Sequence, residues 1–265
     1  MKYLIINGSP HRGNTWTVVQ AAMKRIKELD ANYTAEEIHL MEARIPFCTG
    51  CSNCFRLGGE FCPHRDIMSE IQTKIEAADG IIVATTTFNC RETALLKNFL
   101  DHLNYLLHRP RFFNKKALVV TTVGGVGGNA TIKSVTGTLR GMGFNKCYSM
   151  FIRSVSWNDY RINTSDQKKI SREAEKFYTD LKSGKMHYPT TEVLIPYNIF
   201  RGMAGNFVHG SEFETEDGTY CSDVYRKNHV YDKSIPLMPH QKLVGAMFYC
   251  LGKISSKHMV VTYKK

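Results

Sequence analysis

The chain alternates between short apolar runs and longer stretches with an apolar residue every three or four positions. Residues 2–7, Lys-Tyr-Leu-Ile-Ile-Asn, read as a first strand that stops at Gly8. Asn14 or Thr15 then caps a helix to about Leu29, with Val18, Val19, Ala22, Ile26 and Leu29 on one face. Residues 33–40 read as a second strand. Asp66 opens a helix that turns Ile67, Ile71 and Ile75 inward. Residues 80–85, Gly-Ile-Ile-Val-Ala-Thr, form a continuous apolar run, as expected of a strand covered on both faces. Residues 92–107 carry Leu95, Leu96, Phe99, Leu100, Leu103 and Leu106 and predict one long helix. A fourth buried strand is predicted at 117–122, a helix near 130–140, a fifth strand at 146–152 and a helix at 166–182 capped by Ser165.

Five such alternations predict right-handed crossovers and a parallel sheet with helices on both faces. The fold class is α/β: a flavodoxin-like three-layer sandwich whose five-stranded parallel sheet runs in the order 2-1-3-4-5, with a C-terminal arm. Ligands in such sheets bind at the carboxyl ends of the strands, where the loops after strands one, three and four lie. From Ser183 the rhythm stops. Residues 183–265 hold Pro189, Pro196, Pro236 and Pro239, a helical segment near 195–207, an aromatic stretch at 220–231 and an amphipathic helix near 240–255. This is too hydrophobic for a disordered tail. The expected organisation is a domain at 1–182 with a cysteine-rich insertion at 46–65, then an extension at 183–265 packed on its own domain or a partner subunit.

Composition narrows the class. With 265 residues, 43% of them hydrophobic and 22% charged, the chain is an ordinary soluble globular protein. No apolar run is long enough to span a bilayer, and the opening residues read as a strand rather than a signal peptide, so a cytoplasmic location is expected. The formal net charge of +11 would attract polyanions and anionic substrates. The basic residues are scattered, however, with pairs only at Lys115-Lys116, Lys168-Lys169 and Lys264-Lys265. No basic stripe interleaves with aromatics, so no nucleic-acid partner is expected. Lys242, Lys253 and Lys257 around Leu243, Met247, Phe248 and Leu251 also make a membrane-surface pattern, but packing on a partner subunit is the preferred reading.

The loop Gly8-Ser9-Pro10-His11-Arg12-Gly13-Asn14-Thr15 joins the first strand to the first helix. Backbone N–H groups at a helix N-terminus, with the positive end of its dipole, favour an anion there. Ser9, Asn14 and Thr15 add side-chain donors and Arg12 adds a charge. The loop nearly spells the triphosphate-binding pattern, but Asn14 stands where that pattern needs lysine. No Asp ends the third strand to hold magnesium. A single phosphate, as in a mononucleotide, suits the loop better than three. A phospho-acceptor regulator of the same fold would need acidic residues at the ends of strands one and three, and this chain has Asn7-Gly8 and Thr85-Thr86. Two further loops face the same edge. Residues 85–93, Thr-Thr-Thr-Phe-Asn-Cys-Arg-Glu-Thr, offer hydroxyls and amides, with Phe88 as an apolar wall. Gly124-Gly125-Val126-Gly127-Gly128 lets backbone approach a flat ring.

Eight cysteines in a cytoplasmic chain suggest thiols, a metal or a cluster before disulfides. Cys48, Cys51, Cys54 and Cys62 follow the spacing C-x2-C-x2-C-x7-C and end in Cys62-Pro63. Four thiolates at these steps suit a [4Fe–4S] cluster. A structural zinc ion, with His64 able to replace one ligand, and free thiols stay open as alternatives. Cys90 reads as a loop filler, and Cys147, Cys221 and Cys250 as buried thiols. His102, His108 and Arg109 read as cations at a helix C-terminus.

The residues Ile6-Asn7-Gly8-Ser9-Pro10, Arg12-Gly13-Asn14-Thr15, Phe47-Cys48-Thr49-Gly50-Cys51 with Cys54 and Cys62, Ala78-Asp79-Gly80-Ile81-Ile82 and Lys97-Asn98-Phe99-Leu100-Asp101 together resemble the flavodoxin-like NADPH-dependent FMN reductase superfamily, in its iron–sulfur flavoprotein-like branch. The resemblance covers roughly residues 1–180. It implies bound FMN, NAD(P)H or a protein as electron donor, a small-molecule or protein acceptor, and a homodimer or dimer of dimers. It places Ser9, Arg12, Gly13, Asn14 and Thr15 at the FMN phosphate. It places Thr87, Phe88, Asn89, Gly124 and Gly125 along the ribityl chain and ring. Family members usually have Pro and Tyr after the third strand, where this chain has Thr86 or Thr87 and Phe88. Two other functions fit the residues: a flavin-based electron carrier without its own substrate, and a zinc-stabilised binding protein without catalysis.

Overall fold

A computed structural model describes residues 1–156 and 159–258. The pair Lys264-Lys265 lies outside the described residues. In chain order the elements are β1 (Lys2–Asn7), α1 (Asn14–Leu29), β2 (Thr34–His39), α2 (Leu40–Ala43), α3 (Asn53–Arg56), α4 (Arg65–Ala77), β3 (Gly80–Thr86), α5 (Ala94–His102), β4 (Lys116–Val123), α6 (Gly128–Gly141), β5 (Lys146–Arg153) and α7 (Thr164–Ser183). The arm adds α8 (Thr191–Ala204), α9 (Glu216–Ser222), α10 (Val224–Asn228) and α11 (Pro239–Ser255).

The five strands form one parallel sheet in the order β2-β1-β3-β4-β5, as the alternation predicts. Successive side chains of each strand point to opposite faces, and both faces are apolar. Tyr3, Ile5, Ile82, Leu118 and Val120 pack against α1 and α7 through Val18, Val19, Ala22, Ile170 and Phe177. Leu4, Ile6, Ile81, Val83 and Val119 pack against α4, α5 and α6 through Ile71, Ile75, Leu96, Phe99, Val135 and Leu139. Each fully buried aliphatic side chain contributes about 1.5–3 kcal/mol. Asn7 stands opposite Ala84, and Thr86 opposite Thr122, so the carboxyl ends of β1, β3 and β4 lie level.

Three helices differ from expectation. The N-cap of α1 is Gly13, not Asn14 or Thr15, because both of those residues already lie in the first helical turn. The predicted helix over 92–107 starts later and stops earlier. Thr93 caps it, its hydroxyl oxygen accepting the Leu96 N–H at 3.2 Å, which leaves Glu92 outside to accept a hydrogen bond from Ser134. At Leu103 the backbone leaves the α-helical ladder, and a 3-10 turn covers Asn104–Leu107. Tyr105 is thereby placed to bond Gln72 of α4. The cap of α7 is Asn163, whose Oδ1 accepts the Asp166 N–H, and not Ser165.

The arm is folded. Val193, Leu194, Tyr197, Tyr231 and Ile235 form a third core, with Phe113 and Met186 against it. Helices α8 and α11 cross closely, because a Cβ at Gly202 would overlap the Tyr249 carbonyl and one at Gly252 the Ile199 carbonyl. Among the described residues no helix is long and apolar enough to cross a membrane.

Candidate functional site

A cavity of about 430 Å³ opens at the carboxyl ends of β1, β3 and β4. Ser9, Gly13, Asn14, Thr15, Thr87, Phe88 and Gly124 line it, together with Pro10, His11, Thr86, Thr122 and Ser154. Arg12, Asn89 and Gly125 are not in its wall.

The loop after β1 is folded tightly. A Cβ at Gly8 would come within 2.7 Å of Leu96 Cβ, so only glycine lets this loop sit on α5. Thr93 Oγ1 donates to the Gly8 carbonyl at 2.5 Å, and the Ser9 N–H donates to Asn7 Oδ1 at 3.1 Å. Most of the polar side chains here already have protein partners. Asn14 Nδ2 donates to the Ser156 carbonyl at 2.6 Å, and Asn14 Oδ1 accepts the Tyr160 N–H at 3.3 Å. The Thr15 hydroxyl bonds that of Thr122 at 2.6 Å. Thr87 Oγ1 bonds Thr121 and Thr131. The Arg12 side chain bends away to Glu37, at 3.0 Å, and to Glu42. Its hydrogen bonds hold the Glu42 carboxyl down to about 2, with His39 adding to the effect.

Ser9 is the exception. It is 3% exposed, and its hydroxyl is buried with no hydrogen-bond partner. Gly13, the N-cap of α1, supplies no side chain to the helix end. The positive end of the α1 dipole therefore faces the cavity with no side-chain cap on it. An orphaned hydroxyl beside an uncapped helix N-terminus fits a phosphate monoester. The second wall is a tight turn in which Asn89 and Cys90 have φ of 49° and 60°, closed by paired hydrogen bonds between Phe88 and Arg91. That turn holds Phe88 half-exposed at the cavity wall. Cys90 packs on Gly127, joining the second loop to the third. These features fit a mononucleotide carrying a flat ring.

The cysteines make a second cavity of about 250 Å³, lined by Cys48, Cys51, Cys54 and Cys62 with Phe55, Asp101, His102 and Asn104. Left-handed turns at Gly50 and Ser52, with φ of 66° and 60°, bend the loop so that its thiols share this space. Burial, reinforced by Cys62, Cys51 and Cys48, pushes the Cys54 thiol up to about 11. A thiol held protonated among three others fits a cationic centre that would draw off its proton. His64, named above as a possible ligand, is half-buried and meets His102.

The arm packs against the back of the cysteine loop, outside the cavity itself. His108 stacks on Phe200 of α8 and meets Phe55 of the cysteine loop at a tilt. Arg109 pairs with Asp217 at 2.9 Å and also donates to the Cys54 carbonyl. His108 and Arg109 are thus tied to the arm rather than serving a helix C-terminus, and α5 ends earlier, at His102. Cys147 and Cys221 are buried as expected, but Cys250 is exposed on α11. Sequence reasoning missed His11, Thr122, Ser154 and His102. His11 lay within the phosphate loop and could have been found there; the others gave no local signal.

The model of the NADPH-dependent FMN reductase family matches residues 1–151. The chain belongs to this family. It is similar to an iron–sulfur flavoprotein of Archaeoglobus fulgidus, 32% identical over 128 residues, which is 48% of this chain and 56% of that protein. It is also similar to an iron–sulfur flavoprotein of Methanosarcina thermophila, 31% identical over 186 residues, covering 66% of this chain and 93% of that protein. The fold matches an oxidoreductase structure from Corynebacterium diphtheriae with a TM-score of 0.52, over 69% of this chain and 97% of that one, at 16% identity. This member of the FMN reductase family is thus a flavodoxin-like protein of a flavin-dependent oxidoreductase family.

Proposed function

We propose that the chain is an FMN-dependent oxidoreductase that takes electrons from NAD(P)H or a protein donor and hands them to a small-molecule or protein acceptor. Cys48, Cys51, Cys54 and Cys62 would hold a [4Fe–4S] cluster, which would supply single-electron exchange with the flavin. The observation that carries the first part is the buried, unpartnered Ser9 hydroxyl at the uncapped end of α1, inside a cavity walled by three sheet-edge loops.

When bound, FMN supplies two-electron and one-electron chemistry, and a cluster supplies one-electron transfer. The chain's residues bind, orient and insulate. Ser9 and the first N–H groups of α1 hold the phosphate. Gly13 leaves room there. Thr86, Thr87, Phe88 and Gly124, with Asn89 and Gly125 next to them, flank the ring. The hydroxyl pairs Thr15–Thr122 and Thr87–Thr121 stiffen the wall. Helix α5 connects the two sites: Thr93 at its start holds the phosphate loop, and His102 at its end lines the cysteine cavity. Nine residues of α-helix rise about 13 Å, so one short rigid element joins the two walls.

The remaining parts of this reading concern assembly and location. A homodimer, or a dimer of such dimers, is supported by Leu243, Met247, Leu251 and Ile254, which α11 turns outward. All eight cysteines are free, which suits the cytoplasm. Residues 1–182 act as the flavin domain and 183–265 as an extension.

The test is anaerobic purification followed by flavin, iron and sulfide counts per chain and NAD(P)H titration of the visible spectrum. One FMN and four iron atoms per chain, with bleaching of the flavin band on titration, are expected. A protein that neither retains nor binds FMN would sink the enzyme reading. FMN without iron or sulfide would remove the cluster alone.

A further inference from the structure

We propose a mononuclear site for a borderline divalent ion, Zn²⁺ by its chemistry, formed by Cys62, His64 and His102 at the rim of the four-thiol cavity. It goes beyond the flavin and cluster assignment and shares one ligand, Cys62, with the cluster. Ion and cluster therefore exclude each other.

One ligand atom from each of the three residues lies within 4.8 Å of the others. His64 Nδ1 and His102 Nε2 are 3.0 Å apart. Two imidazole nitrogens on one tetrahedral ion, each at about 2.0–2.1 Å, stand about 3.3 Å apart, so this pair is nearly in place. A thiolate at about 2.3 Å and an imidazole on the same ion stand about 3.5 Å apart, so the Cys62 thiol closes by at most about 1.3 Å.

The second argument is the tautomer. His102 Nδ1 lies 2.9 Å from the Asn98 carbonyl, within the same helix. A carbonyl only accepts, so Nδ1 carries the proton and Nε2 presents its lone pair towards His64. A metal-binding histidine characteristically donates its other ring N–H to a carbonyl or carboxylate. His102 is 4% exposed and cannot swing away. His64 leads into α4 and Cys62 closes the 3-10 turn before it, so both are short-range neighbours facing one buried, pre-oriented imidazole. On binding, the His64 proton moves from Nδ1 to Nε2, and the Cys62 thiol releases its proton to solvent. Two imidazoles and one thiolate then hold the ion, with the fourth position facing the cavity.

The experiment uses the full chain, stripped of metal and sulfide and kept anaerobic, titrated with Co²⁺ as a visible probe and with Zn²⁺ in competition. One Co²⁺ per chain is expected, with the charge-transfer intensity of a single thiolate. The double variant Cys48→Ser/Cys51→Ser should keep that spectrum while failing to assemble a cluster from iron and sulfide. His64→Gln should weaken Co²⁺ binding by more than about 100-fold, since loss of an outer partner alone costs about 10–100-fold, yet still assemble the cluster. His64 is half-exposed, so this variant avoids disturbing the core as His102→Gln would. Loss of cobalt binding in the double variant, unchanged affinity in His64→Gln, or no cobalt uptake by the wild type would each overturn the site. Wild-type protein that takes up cobalt in this way but no iron and sulfide would refute the cluster reading and leave this site standing.

Discussion

Asn98 holds the cysteine loop to helix α5: its Oδ1 accepts the Cys48 N–H at 3.0 Å, and its Nδ2 donates to the carbonyls of Ile45 and Pro46, both at 3.1 Å. One side chain thus satisfies three backbone groups at the point where the loop begins. Leaving such groups unpaired costs about 1–3 kcal/mol each where they are buried. Asn98→Ala should free the start of the loop, so that Cys48 is alkylated faster and iron and sulfide content falls. Asn98→Asp keeps the acceptor but loses both donors, and should lie between the two. Flavin content should not change, because Asn98 is not in the wall of the flavin cavity. Equal Cys48 labelling rates in wild type and Asn98→Ala would show that the loop is held elsewhere.

Ser9 and Arg12 should behave in opposite ways. The Ser9 hydroxyl has no partner in the chain, so Ser9→Ala removes nothing from the fold. A hydrogen bond to a charged phosphate is worth about 1.5–3 kcal/mol, so FMN should bind about 10–100-fold more weakly to this variant. The melting temperature of the flavin-free protein should stay the same. Arg12 already pairs with Glu37 and Glu42. Arg12→Ala should change the FMN dissociation constant by less than about threefold, in keeping with an exposed ion-pair residue. A larger loss for Arg12→Ala than for Ser9→Ala, measured by flavin fluorescence, would reverse this assignment.

The contrast between these two residues shows what the sequence could and could not carry. The continuous apolar runs at β3 and β4 announce buried strands because parallel strands are covered on both faces. The glycine and hydroxyl loops announce the cavity because they follow those strands. Arg12 was read as a phosphate ligand, but its partners come from β2 and α2, about thirty positions on, and pairing Asn7 with His39 brings them beside it. The cap of α5 was missed because Thr93 and Glu92 are both plausible first residues, and only the Leu96 N–H decides between them. His102 joined the cysteine cavity through tertiary packing, 38 positions from His64. Cys250 was read as buried because its neighbours are apolar, whereas α11 turns that face outward.

Glu42 gives a pH prediction. Its hydrogen bonds to Arg12 and then His39 hold the carboxyl at about 2, below the ordinary 4.5. A carboxyl lowered by folding stabilises the native state above its ordinary range and loses that effect as pH falls towards the folded value. The contribution is therefore present in full at pH 6 and fades between roughly pH 4.5 and pH 2. Urea melts of wild type and Glu42→Gln should differ slightly at pH 6 and converge as pH approaches 2. A gap that widens on acidification would contradict the ion pair.

The arm should be separable from flavin binding. Helices α8 and α11 meet through backbone at Gly202 and Gly252, where a methyl group has no room: at Gly252 it would overlap the Ile199 carbonyl, and backbone cannot rotate aside as a side chain can. Gly252→Ala should force the two helices apart and lower stability by about 1–3 kcal/mol, the usual cost of overpacking. The strain falls on the arm, whose core of Val193, Leu194, Tyr197, Tyr231 and Ile235 is distinct from the two cores that flank the sheet. The walls of the flavin cavity come entirely from residues 9–154, outside the arm. The variant should therefore bind FMN with wild-type affinity while its arm exchanges amide hydrogens faster. The cysteine cavity should feel the change, because His108 stacks on Phe200 of α8 and Arg109 pairs with Asp217 of α9. Hydrogen exchange and flavin titration on the same sample decide the matter: loss of FMN affinity together with arm protection would mean that the arm and the flavin domain fold as one cooperative unit.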